Sequence, residues 1–257
     1  MVKTLSLLVT GFIGISLTGC DTRPAGPPQS ELSKNCRKVR HLQGETSVCG
    51  NPEKVLVLGP AILELLLALD AQPVGFADYT TWHQGSYDNP SQQIPYLGNR
   101  VTTQPANLGS AYEPSIESIV AIQPDLIVGT GSNAPQYRIL SAIAPTLLLS
   151  RNDDDTEISL RAMAHALNRL DLVEQLLTEI KQRVITTCET FAPVVAAYPQ
   201  LLLLGAVQWQ ELYLGERNYG LCSALLEELG FQLVTPPDLN STVSDAPIPI
   251  SHETLLN

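Results

Sequence analysis

Lys54-Val-Leu-Val-Leu58 runs directly into Gly59-Pro60 and then into the helix-patterned segment Ala61 to Leu69. An unbroken apolar run has no polar face, so a strand built from it must be covered on both sides, as in a parallel sheet between helices. Pro60 falls where a first helical turn would begin, a position at which its missing N–H is tolerated. Pro73-Val-Gly-Phe76 then closes a βαβ unit. The pattern recurs. Ser115 to Ile122 reads as a short helix ended by Pro124-Asp125, and Leu126 to Gly129 as a strand emptying into Thr130-Gly131-Ser132. Tyr137 to Ile143 is helical, and Pro145 to Leu149 is a third buried strand. Strands alternating with short helices predict an α/β fold with a mainly parallel sheet.

After the acidic loop Asp153 to Asp155 the chain changes character. Ile158 to Leu170 and Asp171 to Phe191 carry apolar residues at helical spacing, without Gly or Pro before Pro193. Leu172, Val173, Leu176, Leu177, Ile180 and Val184 form one stripe, the pattern of a helix packed along one side. Leu201 to Leu204 restores the buried-strand signal, Leu221 to Leu229 is a helix capped by Gly230, and Phe231 to Val234 is a strand. The expected plan is an N-terminal α/β lobe (36–153), a helical region with a long interlobe helix (154–193), and a second α/β lobe (194–257).

Fifteen Lys and Arg stand against 26 Asp and Glu, a net charge of −11. With no basic block to offset it, that balance argues against binding nucleic acid through its phosphates. No apolar run approaches the ~20 residues that span a bilayer as a helix. Lys3, the apolar stretch Leu5 to Leu17 and the small residues before Cys20 have the layout of a signal peptide over 1–19. The sequence Leu17-Thr-Gly-Cys20 resembles the bacterial lipobox, in which the cysteine is acylated, and the Pro-rich residues 20–35 read as a lipid-anchored linker. Such an anchor holds a protein on a membrane without crossing it. In lipoproteins of this kind an aspartate after the cysteine, here Asp21, favours the inner membrane. Export permits disulfides. Cys36 and Cys49 flank a segment whose Gln43-Gly44 centre looks like a hairpin turn, so a bond between them is expected, with two free thiols as the alternative. Cys188 and Cys222 read as small core residues.

Asn51-Pro-Glu-Lys-Val-Leu-Val-Leu-Gly59, Glu64 to Leu69, Pro73-Val-Gly75, Ser115 to Val128 and Ser251-His-Glu253 resemble the periplasmic substrate-binding proteins of ABC importers for iron-siderophores, ferric citrate, haem and cobalamin. The resemblance implies two Rossmann-like lobes joined by a rigid backbone helix, with ligand between the lobes, and a C-terminal lobe that is incomplete here, because the strand and closing helix expected in this family after Ser251 to Leu256 are absent. It implies a monomer that captures an iron(III)-siderophore or ferric citrate and delivers it to the permease subunits at the periplasmic face of the inner membrane. Cobalamin or haem binding, and a membrane-tethered sensor that no longer transports, are the rivals. In this family one glutamate on each lobe engages the permease, and the matching positions are Glu117 and Glu253. Each also sits in a first helical turn, where a carboxylate is favourable without any partner.

Ligands of open α/β lobes bind beyond the carboxyl ends of the strands. Tyr79, Trp82, Trp209 and Tyr213 are the aromatic candidates to lie against a bulky chelate, with core packing as the alternative. Arg100, Arg138 and Arg217 are candidates to pair with its anionic oxygens, with solvated surface charge as the alternative. His41, His83, His165 and His252 are scattered singly, without ligand spacing, and read as structural or exposed, with a minor ligand role allowed for His83. No protein-held metal and no cofactor are expected. The sequence carries no G-x-S-x-G, phosphate loop, H-E-x-x-H or G-x-G-x-x-G, so no enzyme is indicated.

Overall fold

The computed structural model describes residues 35–80, 85–150, 156–208, 211–215, 221–235 and 248–250. The chain opens with an antiparallel hairpin, β1 (Cys36–His41) and β2 (Gly44–Cys49), closed at its base by a Cys36–Cys49 disulfide. His41 faces Gly44, so the turn residues are Leu42 and Gln43, one position earlier than the sequence suggested. Gly44, with φ of 116°, is the residue that leaves the turn.

Strands β3 (Val55–Leu58), β4 (Pro73–Asp78), β5 (Ala106–Ser110), β6 (Leu126–Thr130) and β7 (Thr146–Leu149) form one sheet in the order β5-β4-β3-β6-β7. Every pairing in it is parallel. The unbroken apolar runs now have their explanation. Val55 and Val57 point into one hydrophobic cluster and Leu56 and Leu58 into the other, and Val128 and Ile127 divide the same way. Helix α1 (Pro60–Ala68) contributes to the first cluster, whereas α2 (Ile116–Ile122) and α3 (Tyr137–Ile143) contribute Ile119 and Leu140 to the second. Helix α4 (Thr156–Ala166) and the start of α5 (Leu170–Ala197) complete the first layer with Leu160, Met163, Val173 and Leu177. Strand β5 was not foreseen, because Ala-Asn-Leu-Gly-Ser offers a single large apolar residue to signal burial.

The outer edge of β7 is an unpaired row of peptide groups unless something covers it. The hairpin does so. The Leu42 amide donates to the Leu148 carbonyl (2.8 Å) and the Thr46 hydroxyl donates to the Thr146 carbonyl (3.1 Å). Val39 and Val48 are buried in the first cluster, and Arg37 donates to the Ala166 carbonyl (2.9 Å) at the end of α4.

Helix α5 passes through Pro193 to Ala197, beyond the expected end at Phe191, and the Tyr198 amide closes its last turn on the Val194 carbonyl (2.8 Å). Its apolar stripe meets the core only in its first turns. Val173 and Leu177 are buried, whereas Ile180 is exposed. Beyond it lie β8 (Gln200–Leu201), β9 (Leu203–Gln208), β10 (Glu211–Gly215), α6 (Leu221–Glu228), β11 (Gln232–Leu233) and β12 (Ile248–Ile250). The expected buried strand Leu201 to Leu204 is instead divided at Leu202. β8 pairs in parallel with β11, and β9 joins the antiparallel sheet β12-β10-β9. Leu204 on β9 is exposed, as an antiparallel sheet with one open face allows, and Leu202, between the two strands, is exposed as well. Cys188 is half-buried and not a core residue, its thiol donating to the Glu228 carbonyl (3.4 Å) on α6. Cys222 lies on α6. Among the described residues no helix is long and apolar enough to cross a membrane.

Candidate functional site

The carboxyl ends of β3, β4, β5 and β6 open on one side of the parallel sheet. Strand β3 delivers Gly59, the residue before α1, with φ of 119°. Its amide donates to the Ala77 carbonyl (2.9 Å). A Cβ at this position would stand 2.9 Å from the Tyr79 hydroxyl, so glycine satisfies both the backbone angle and the approach of that phenol. Tyr79 is half-buried, and its ring lies 5.3 Å from that of Tyr112, tilted by 35°. Tyr112 follows β5 and is 48% exposed. The two phenols thus present a partly open aromatic wall.

Beneath that wall the polar groups serve the backbone. Asp78 is only 7% exposed, and its carboxylate accepts from the Tyr79 amide (2.6 Å). Burial pushes its pKa above the ordinary carboxylate value, against the opposing pull of the Tyr79 and Thr80 amides. Tyr87 is held up at about 12, first by burial and then by the charge of Asp78, so its phenol stays neutral at physiological pH. Its ring packs 5.4 Å from Phe76.

Strand β6 ends in a tight 3-10 turn, Gly131–Gln136, capped reciprocally by Thr130 and Asn133. Asn133 is fully buried. Its carbonyl oxygen accepts from the Thr130 amide (3.0 Å) and its NH2 donates to the Ala111 carbonyl (2.7 Å). The Gln136 NH2 donates to the Tyr112 carbonyl (3.0 Å). These bonds fix the loop after β5 on the loop after β6, and the Ala111 amide, donating to the Asp78 carbonyl (2.7 Å), ties both to β4. Gly129 belongs to the same frame, since a Cβ there would stand 2.5 Å from the Asn133 side-chain oxygen.

Of the residues singled out from sequence, Tyr79 is in this wall. Arg138 is exposed in the first turn of α3, the helix that follows the 3-10 turn after β6. Glu117 is exposed in the first turn of α2, whose Ser115 cap accepts from the Ser118 amide (3.2 Å). Arg100 is set apart. Its carbonyl accepts from Gln72 (3.2 Å), the residue before β4, which places its backbone at the amino ends of the strands, opposite the wall. Tyr213 lies on β10. Trp82, His83, Asp153 to Asp155, Trp209, Arg217, His252, Glu253 and the lipobox Cys20 lie outside the described residues. Sequence reasoning missed Tyr112 and Gln136. The signal for Tyr112 was its place just after a strand that itself went unread. Among the described residues no group of three or more His, Cys, Asp or Glu is placed to hold a metal ion.

Residues 55–257 match the family described as Periplasmic binding protein. The chain belongs to this family. Among periplasmic binding proteins it is similar to the Fe(3+)-citrate-binding protein YfmC of Bacillus subtilis (strain 168), with 30% identity over 187 residues, covering 71% of this chain and 56% of YfmC. The chain therefore spans little more than half the length of that relative. It is also similar to the putative ABC transporter substrate-binding lipoprotein YhfQ of the same organism, with 27% identity covering 95% of this chain and 72% of YhfQ. Its fold matches the crystal structure of the triscatecholate siderophore binding protein FeuA from Bacillus subtilis complexed with Ferri-Bacillibactin, with a TM-score of 0.65 at 18% identity over 85% of this chain and 72% of that one. That match carries the mixed α/β architecture with its parallel sheet and long helix. The family is one of solute-binding proteins.

Proposed function

We propose that this periplasmic binding protein is the capture component of an ABC importer, taking up an iron(III)-siderophore or ferric citrate and handing it to an inner-membrane permease. The observation that carries this reading is the aromatic wall of Tyr79 and Tyr112, held on a frame of Asn133 and Gln136 at the carboxyl ends of a parallel sheet. Two phenol rings suit a chelate with apolar faces, and the exposed Arg138 is assigned to its anionic oxygens. The chain's relative YfmC is named for binding Fe(3+)-citrate, which fits that chemistry. Iron is cargo here and arrives already chelated. Capture needs no covalent step and no resident cofactor. Trp82, Trp209, Tyr213 and Arg217 complete the ligand surface in this reading, and Cys20 carries the lipid that keeps the monomer at the periplasmic face of the inner membrane.

Titrating the full chain with ferric citrate and with a ferric tris-catechol chelate should give saturable quenching of its intrinsic fluorescence. Tyr79→Ala should weaken the preferred chelate by about three- to tenfold, the worth of one aromatic contact. Absence of quenching with either chelate would sink the proposal and favour a non-transporting sensor. The exposed Glu117 is assigned, with Glu253, to docking on the permease. Glu117→Ala should leave chelate affinity unchanged while lowering uptake in a reconstituted importer, because a rim charge governs encounter and orientation. Unchanged uptake would leave Glu117 as a favourable first-turn acid and nothing more.

A further inference from the structure

The imidazole of His41 sits where the hairpin tip meets the edge of β7, and its bonding runs in one direction only. Nδ1 accepts from two backbone amides, those of Leu148 and Gln43, both at 3.3 Å. A nitrogen that accepts carries no proton, so the proton of the neutral ring resides on Nε2. From there it is donated to the Thr46 hydroxyl (2.9 Å), which in turn donates to the Thr146 carbonyl (3.1 Å). Through Nδ1 directly and through Thr46 indirectly, one ring thus ties the hairpin tip to two residues of the β7 edge.

We propose that His41 is a proton-operated latch: neutral, it holds the hairpin tip on the edge of β7, and its protonation at Nδ1 releases that tip. An imidazolium has an N–H on both nitrogens, and at Nδ1 it would point at two amide N–H groups with no acceptor among them. The Leu42 amide, which donates to the Leu148 carbonyl (2.8 Å), would lift with the tip. Motion is confined to the tip because the Cys36–Cys49 bond, the buried Val39 and Val48, and Arg37 on the Ala166 carbonyl hold the base. A 240 Å³ hollow lies under the tip, lined by His41, Leu42, Leu148, Ile158 and Ala162 among others, so there is space into which the ring and Leu42 can rearrange.

Among the described residues few charges surround the ring. The hairpin brings Arg40 and Glu45, the latter paired with Lys38 at 3.1 Å. Helix α3 brings the Tyr137 ring, 5.6 Å away. Strand β7 carries no ionisable side chain, and the α4 residues facing the hollow, Ile158, Ser159 and Ala162, are uncharged, while neighbouring Glu157 is bonded to Arg161. Among the described residues no carboxylate is bonded to the imidazole to favour its cation. Burial lowers its pKa below the ordinary 6.5. The sign follows: the latch is at full strength above the ordinary value and is lost as pH falls through the lowered one.

Amide hydrogen exchange of the full chain, corrected for intrinsic rates, tests this at about pH 7.5 and about pH 4.5, values bracketing histidine titration. Protection at Leu42 and Leu148 should fall tenfold for each unit by which the His41 pKa lies below its ordinary value, while Leu56 and Val128 in the sheet interior hold steady. His41→Asn keeps an acceptor at the Nδ1 position but cannot titrate, and should hold the tip at both pH values. Nitrogen chemical shifts of the ring should report the Nε2–H tautomer at the higher pH. Unchanged protection of Leu42 and Leu148 in the wild type, the Nδ1–H tautomer, or the same pH response in His41→Asn would each overturn the latch.

Discussion

Phe76→Ala is expected to destabilise the chain by about 3–5 kcal/mol, the range for emptying a fully buried aromatic site. Phe76 is completely buried, on a strand flanked by β3 and β5, with the Tyr87 ring beside it. Its neighbours belong to strands hydrogen-bonded on both sides, so they can collapse into the cavity only by distorting the sheet. The effect should also reach the site, because Asp78 ends the same strand and Tyr79 follows it directly. Denaturant unfolding measures the cost. A loss under about 1 kcal/mol would mean that the surrounding layer repacks freely, contrary to a close-packed core.

Removing the hairpin's covalent tie comes next in size. The bond spans 13 positions, and closing a loop of that length is worth about 3 kcal/mol on the chain-entropy account. Replacing Cys36 and Cys49 together with serine should therefore lower stability by about that amount. The hydrogen bonds of Leu42 and Thr46 to β7 persist in the variant but hold a looser partner. Thermal unfolding of wild type with and without reductant supplies the matching measurement. Equal midpoints under both conditions would show that packing of Val39 and Val48 alone sets the hairpin's position.

Much of the N-terminal lobe was legible because its strands are covered on both faces. Val-Leu-Val-Leu and Leu-Ile-Val leave no choice of environment; Gly59 marks where the first run ends, and Pro124 and Pro145 stand just ahead of the next two strands. Strand β5 was illegible for the opposite reason: it lies at the sheet edge and is held by pairing with β4 more than by apolar content. The second part of the chain misled through its leucines. Leu201 to Leu204 has the composition of a buried strand, yet it is divided between two sheets, Leu201 pairing with β11 about thirty positions on and Leu203 and Leu204 with the next strand, β10. At the site, the loop Gly129 to Asn133 was visible as a strand exit, but the role of Asn133 was not. An asparagine's partners depend on which loop the fold brings opposite it, here Ala111, 22 positions away. Arg100 shows the converse error, since a basic residue between two strands can fall at either end of a sheet.

The hairpin that heads the described chain rests on β7, the last strand of its lobe, with 106 positions between Leu42 and Leu148 (148 − 42). Contacts that join the first and last segments of a unit require closure of the longest loop the unit has, and such closures slow folding. The hairpin is local, so its turn and disulfide can form before the rest of the sheet exists. The seat it needs does not exist until about a hundred further residues have followed, which is the span between those two leucines. Until then the preformed hairpin and, later, the bare β7 edge are each open to strangers. A chain of this design should depend on chaperones that shield strand edges while it folds, and a nick or stall between Gly50 and Thr146 should leave an adhesive fragment instead of a half-folded lobe.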